Sequence, residues 1–255
     1  MPNLTNTELL PVKRKFVCLN ELNIFYLDTE TDGPLLLCLH GRFGRGETWL
    51  ELMDRYADRF RVIAPDQRGH GLSDKPQTKY TSEEMAQDAA SLLELIDHGP
   101  ALVIGHSMGG RIAGYLSALH SNLVSGLVIL DQTAKGPEVA SSLKLEHLPP
   151  KDNFTADWPL PFSSYRHARD FLLQRTQSEI RTSYYMDSLV ERIDGYHMLF
   201  SQQATSAIFE YQEDWFHLLP QISHPVLLVR AKNSEELSKS DSERMQSMLQ
   251  NSSAV

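Results

Sequence analysis

Apolar positions along the 255-residue chain fall into short blocks and longer amphipathic stretches that alternate with one another. Continuous blocks at 35–39, 61–64, 101–104, 127–130 and 226–229 carry almost no polar residue. Such blocks mark strands covered on both faces, as in a parallel sheet flanked by helices. Two further runs, 16–19 and 24–27, flank the turn-like Asn20-Glu21-Leu22-Asn23 and predict an antiparallel hairpin at a sheet edge. Helix-length segments lie between the blocks at 48–56, 82–97 and 108–120, with another at 238–249 after the last block. Thr81 or Ser82 is placed to cap the second of them. Strand alternating with helix implies crossover units, and hence a doubly wound, mostly parallel α/β sheet.

The alternation stops at Gln132 and resumes after residue 210. The intervening stretch holds Pro137, Pro149, Pro150, Pro159 and Pro161, several helical runs and no clear buried strand. It reads as a helical cap set into the sheet domain. The chain then divides into core residues 1–131, cap residues 132–210 and returning core residues 211–255.

Composition narrows the partners more than the fold. With 41% hydrophobic and 22% charged residues, the chain can bury one large core plus a modest second lobe. A formal charge of -9 argues against nucleic acid, because phosphate binding needs a concentrated basic surface. The one basic cluster, Lys13-Arg14-Lys15, reads as a solvated start of a strand. No run of about 18 apolar residues predicts a transmembrane helix. Residues 1–10 lack the apolar stretch of a secretory signal, so a cytoplasmic location is expected. Cys18 and Cys38 both fall in strand-like runs and are expected as free buried thiols. No metal-ligand cluster and no dinucleotide fingerprint occurs, so no cofactor or metal is implied and the expected partner is a small-molecule substrate.

Chemistry concentrates where the block 101–104 runs into Gly105-His106-Ser107-Met108-Gly109-Gly110 and then into a helical segment. A Gly-x-Ser-x-Gly at a strand-to-helix turn holds its serine in a strained backbone region. The flanking glycines remove the Cβ atoms that would clash, and the hydroxyl is pushed above the sheet. The Met108 amide opens a helix whose positive end favours a developing oxyanion. A second donor is expected from the loop after 35–39, where His40-Gly41-Arg42-Phe43-Gly44 stands, and Asp66-Gln67-Arg68-Gly69-His70-Gly71-Leu72-Ser73-Asp74 follows the block at 61–64.

These three motifs, in this order over about a hundred residues, resemble those of the α/β-hydrolase superfamily. The resemblance implies a serine hydrolase with Ser107 as nucleophile and the Arg42 and Met108 amides as its oxyanion hole. His40 and His70 are expected to brace their loops by hydrogen bonding, and Asp66 and Arg68 to form a structural ion pair.

A serine needs a general base, and histidine suits because its pKa lies near neutrality. In the superfamily that base follows the eighth sheet strand, and neither that strand nor a matching Gly-His is expected before Val255. None of the ten histidines matches its position. The superfamily's usual acid position, after the last block, is Ser234 here, which moves the expected acid to Asp131 at the end of 127–130, with Glu235 and Glu236 as alternatives. Asp131 is alternatively placed to hydrogen-bond the turn into the cap.

Arg111 lies one helical turn beyond Ser107, where it either projects toward the site or pairs with a cap acid. Similar Gly-Gly-Arg elbows occur in the branch that includes the menaquinone-pathway lyase, where this arginine binds a carboxylate. Arg42 adds a second cation nearby. Cap aromatics such as Trp158, Tyr184 and Tyr185 either line an acyl pocket or form cap core. The expected activity is carboxylesterase-like hydrolysis of a small or medium ester. The alternatives are a carbon–carbon hydrolase or lyase acting on a carboxylate, and a non-catalytic form that lacks the histidine.

Overall fold

The computed structural model describes residues 12–255, so the expectation for residues 1–10 lies outside it. β1 (Lys13–Leu19) and β2 (Leu22–Asp28) form the expected hairpin. Its two-residue turn has Asn20 at φ 48° and Glu21 at φ 69°, the pair of positive values that matches strand twist in tight hairpins. Next come β3 (Leu35–Leu39), α1 (Leu50–Tyr56), β4 (Arg61–Pro65), α2 (Ser82–Ile96), β5 (Ala101–His106), α3 (Met108–Leu119) and β6 (Val124–Leu130). After the inserted segment come β9 (Val226–Val229), α7 (Lys239–Met248) and β10 (Ser252–Ala254).

The sheet has eight strands in the order β1-β2-β4-β3-β5-β6-β9-β10. From β4 to β10 neighbouring strands run parallel, and β2 lies antiparallel to β4. The order reverses at β3, which has β4 on one side and β5 on the other. In open α/β sheets the crevice above such a reversal is where ligands gather. β3 is buried along its whole length, as a central strand with helices on both faces must be.

Two apolar clusters face the sheet from its two sides. The larger joins β3, β5, β6, α2 and α3 to Trp215 and Leu219. Trp215 is fully buried and lies over α3 where Gly114 leaves room, since a Cβ there would collide with the indole. By analogy with other core tryptophans, truncating Trp215 to alanine costs about 3 kcal/mol or more.

Residues 132–210 carry α4 (Tyr165–Thr176), α5 (Glu179–Met186), the hairpin β7 (Leu189–Arg192) with β8 (Gly195–Met198), and α6 (Gln202–Glu210). A third cluster, built on Trp158, Phe162, Leu172 and Phe200, holds this segment together. Phe43 from the loop after β3 inserts into it, at 5.0 Å from the Phe200 ring centroid. α6 packs differently, for Ala204, Ala207 and Ile208 belong to the main core.

Several expectations are corrected. The β7–β8 hairpin stands where no strand is expected, because its half-exposed residues form no apolar block. β10 exists, pairing Ser252 with Val226 and Ala254 with Leu228, so the sheet has the eighth strand that was not expected. Cys18 is exposed and only Cys38 is buried, since alternate residues of an edge strand face solvent. The segment 48–56 begins as a 3-10 turn over Gly46–Trp49. Lys13-Arg14-Lys15 opens β1 with Lys13 and Arg14 exposed, which agrees with its reading as a solvated strand start, and Lys15 pairs with buried Asp28 at 2.8 Å.

Candidate active site

Ser107 sits between β5 and α3 at φ 50° and ψ −121°. Its N–H donates to the Leu130 carbonyl at 2.9 Å, and its own carbonyl accepts from the Gly110 and Arg111 amides at 2.7 and 3.2 Å. These bonds hold a backbone conformation that serine avoids elsewhere. A Cβ on Gly105 would run into the carbonyl of Gly109, and one on Gly109 into the carbonyls of Leu39 and His40. The start of α3 therefore presses on the end of β3 and makes the elbow a neighbour of the 40–44 loop.

Met108 is buried at the first position of α3, where an amide has no acceptor inside the helix. In the facing loop the Gly44 amide donates to the Gly41 carbonyl at 3.0 Å, which curls Arg42 and Phe43 into a turn with Phe43 at φ 73°. Tyr184 of α5 leans on this turn, its hydroxyl donating to the Arg42 carbonyl at 3.2 Å. Gly44 leaves the space that the Tyr184 ring fills. Sequence reasoning placed Tyr184 among generic cap aromatics. The paired glycines around Arg42 and Phe43 were the local sign that something packs close.

His40 and His70 brace the loops. His40 Nδ1 donates to the Gly41 carbonyl at 2.8 Å, and Nε2 accepts from the Gln67 amide at 3.0 Å, which fixes a neutral tautomer. Burial drives the His70 pKa down to about 4, while its Nδ1 bonds the Arg68 carbonyl at 3.1 Å. The expected Asp66–Arg68 ion pair does not form. Asp66 bridges its own loop to the one after β3, accepting from the Gly46 and Leu72 amides at 2.6 and 2.7 Å. Arg68 turns toward α2 and makes a bidentate pair with Asp88 at 2.5 and 2.7 Å.

His106 of β5 pairs with Leu130 of β6, so Ser107 and Asp131 leave adjacent strands side by side. Asp131 has φ 51°. Its Oδ1 accepts from the Ala231 amide at 2.9 Å, which ties the end of β6 to the loop after β9 and not to the turn into the cap. Ser234 caps the next turn by accepting from the Leu237 amide at 2.9 Å, and Glu235 and Glu236 stand exposed beside it. Among the described residues no histidine hydrogen-bonds Ser107. The His106 ring lies edge-on to Tyr184, with centroids 6.0 Å apart.

Arg111 is buried and donates through Nη2 to Gln212 Oε1 at 2.9 Å, with no ion pair to a cap acid. The Arg42 guanidinium lies 3.2 Å from the Phe209 ring centroid. Burial lowers its pKa to about 10, so it stays charged at neutral pH; Asp152 and Glu236 act against that lowering and Arg111 adds to it. Phe209 and Gln212 went unnoticed in the sequence, because nothing local signals a partner so distant along the chain. Among the described residues no group of side chains could hold a metal ion, and no helix is long and apolar enough to cross a membrane.

Residues 34–252 match the model of the family described as alpha/beta hydrolase fold, and the chain belongs to that family. It is 44% identical over 101 residues to the 2-(acetamidomethylene)succinate hydrolase of Mesorhizobium japonicum, a match covering 40% of this chain and 36% of that protein. It is 31% identical over 218 residues to the magnesium-chelatase 30 kDa subunit of Rhodobacter capsulatus, covering 78% and 70%. The crystal structure of E-2-(acetamidomethylene)succinate hydrolase superposes with a TM-score of 0.78 at 25% identity, covering 96% of this chain and 91% of that one. The first curated match thus spans about a third of its relative's length.

Proposed function

We propose that this chain is a serine hydrolase that cleaves a small or medium carboxylic ester through an acyl-enzyme on Ser107. The observation that carries this reading is the strained Ser107 at the strand-to-helix turn, with the Met108 amide next to it and the Arg42 turn facing it. In this reading Ser107 Oγ attacks the ester carbonyl. The carbonyl oxygen takes up negative charge and is received by the Arg42 and Met108 amides. The alcohol then leaves with a proton, and water releases the acyl group from Ser107. Asp131, beside Ser107 and with Oδ1 already fixed by Ala231, is the acid we assign to orient a histidine base. A relative named for an acetamido-bearing succinate extends the same route to amides and to substrates carrying carboxylates.

A second reading is favoured by one observation. No described histidine hydrogen-bonds Ser107, and in this reading the chain binds the substrate class without turning it over. Labelling with a fluorophosphonate probe separates the two. The expected result is a covalent adduct that disappears in Ser107→Ala. A folded protein that takes no label overturns the hydrolase reading and leaves the binding one.

A further inference from the structure

Successive peptide units form the turn after β3, and each of the carbonyls of Gly41, Arg42 and Phe43 is held. The Gly41 carbonyl accepts from His40 Nδ1 and from the Gly44 amide at 2.8 and 3.0 Å, inside the loop. The other two are taken by the inserted segment. Tyr184 Oη donates to the Arg42 carbonyl at 3.2 Å, and Ser188 Oγ donates to the Phe43 carbonyl at 2.6 Å.

A peptide unit is planar, with its N–H pointing opposite to its C=O, so fixing a carbonyl aims an amide. Tyr184 aims the Phe43 N–H. Ser188 holds the unit whose N–H, that of Gly44, closes the turn on the Gly41 carbonyl. That carbonyl belongs in turn to the unit carrying the Arg42 N–H. Among the described residues no carbonyl takes the Arg42 or Phe43 amide.

The sheet alone does not impose this conformation. At φ 73° a bulky residue such as Phe43 is strained, and the strain lasts only where the surroundings over-determine it. Those surroundings belong to the inserted segment: the Phe43 ring centroid lies 5.0 Å from that of Phe200 and 5.5 Å from that of Tyr185. Tyr184 also reaches the elbow, since a Cβ on Gly41 would meet both the Tyr184 hydroxyl and His106 Nδ1, at 3.0 and 2.9 Å. Ser188 is fully buried, and burial raises the Tyr184 phenol above its ordinary pKa, which keeps it a donor.

We propose that Tyr184 and Ser188 are positioning residues of the oxyanion hole, so that the Arg42 amide is set for the charge of a tetrahedral adduct on Ser107 only while the inserted segment is docked on the turn. This rests on the reading of Ser107 as nucleophile. Neither side chain meets the reacting atoms; each acts through the peptide units it holds.

The adduct with 1,1,1-trifluorohexan-2-one, carrying carbon-13 at its carbonyl, tests the assignment. Ser107 Oγ adds to that carbon, the π pair moves to the ketone oxygen, and the hydroxyl proton passes to it. The resulting hemiketal gives the proton to water when it ionises, and NMR reads the midpoint. Tyr184→Phe, which keeps the ring, and Ser188→Ala should each raise the midpoint by about one pH unit, a tenfold loss of oxyanion stabilisation. Thr182→Val, on the same helix and losing only a hydroxyl that bonds Thr176, should leave it unchanged. Equal midpoints in all four proteins overturn the positioning role alone, and so does a Thr182→Val shift as large as the other two. No hemiketal on the unsubstituted protein sinks the hydrolase reading and takes this role with it. Amide exchange in rising urea needs no variant: the Gly44 N–H should lose protection together with the Asp187 and Ser188 amides and before β3. A Gly44 amide still protected after those two are lost overturns the proposal whether or not either variant folds.

Discussion

A serine at φ 50° and ψ −121° carries backbone strain of order 1–3 kcal/mol, which its neighbours must offset. Alanine at position 107 keeps the Cβ and therefore the strain; glycine removes both but gains freedom in the unfolded chain. The balance favours glycine, so Ser107→Gly is expected to be more stable than Ser107→Ala by about 1 kcal/mol in urea unfolding. An alanine variant as stable as the glycine one would show that the turn stores no strain at this residue. This residue was legible in the sequence because its signal is local: a glycine two positions away on each side, a strand before it and a helix after it, even though the Leu130 carbonyl that helps hold it is not. Arg42 and Arg111 were legible as cations and illegible as a pair. Their holders, Phe209 and Gln212, reach them only after the chain has passed through the whole inserted segment.

Between elements, the pair to weigh is Arg68 on the loop after β4 and Asp88 on α2, whose side chains are each 10% exposed. Breaking a buried pair on one side leaves the other charge uncompensated, at a cost of about 3–5 kcal/mol. Asp88→Ala is therefore expected to lower the unfolding free energy by about 3 kcal/mol. Replacing both partners with leucine and methionine should recover most of the loss. If Asp88→Ala costs less than about 1 kcal/mol, the pair is not what clamps α2 to the loop. The sequence placed Arg68 in the right loop and gave it the wrong acid. Asp66 is two residues away and is satisfied by the Leu72 amide of its own loop and the Gly46 amide after β3, a fact that residue types alone do not carry. β3, buried along its whole length, and β9, whose residues are buried or half-buried, coincide with their apolar blocks. β10 is Ser-Ser-Ala, joined to β9 through backbone bonds, and so left no apolar trace. The β7–β8 hairpin left none for a related reason, its residues apart from Met198 being half-buried or exposed.

At the scale of the whole molecule, stability should depend on acid through histidines that are buried in their neutral form. Burial lowers the pKa of His40, His70 and His106 below the ordinary value of 6.5, His70 to about 4. Near His106 the charges of Asp131 and Glu236 act against that lowering. Between pH 6.5 and about 4 the unfolded chain thus binds protons that the folded chain refuses. Folding free energy is then fully present above pH 6.5 and is lost as pH falls, by about 1.4 kcal/mol per pH unit for His70 over that interval. Asp66 and Asp88 pull the other way near the carboxylate range, because burial raises their pKa values. Urea unfolding at pH 7.5, 6 and 5 should therefore show a steady fall in stability. His70→Asn keeps a side-chain N–H for the Arg68 carbonyl and cannot titrate, so it should flatten the slope between pH 6 and 5 by about one histidine's share. If the substituted and unsubstituted proteins lose stability in parallel across that interval, His70 takes up its proton in the folded state and its burial does not set the acid limit of the fold.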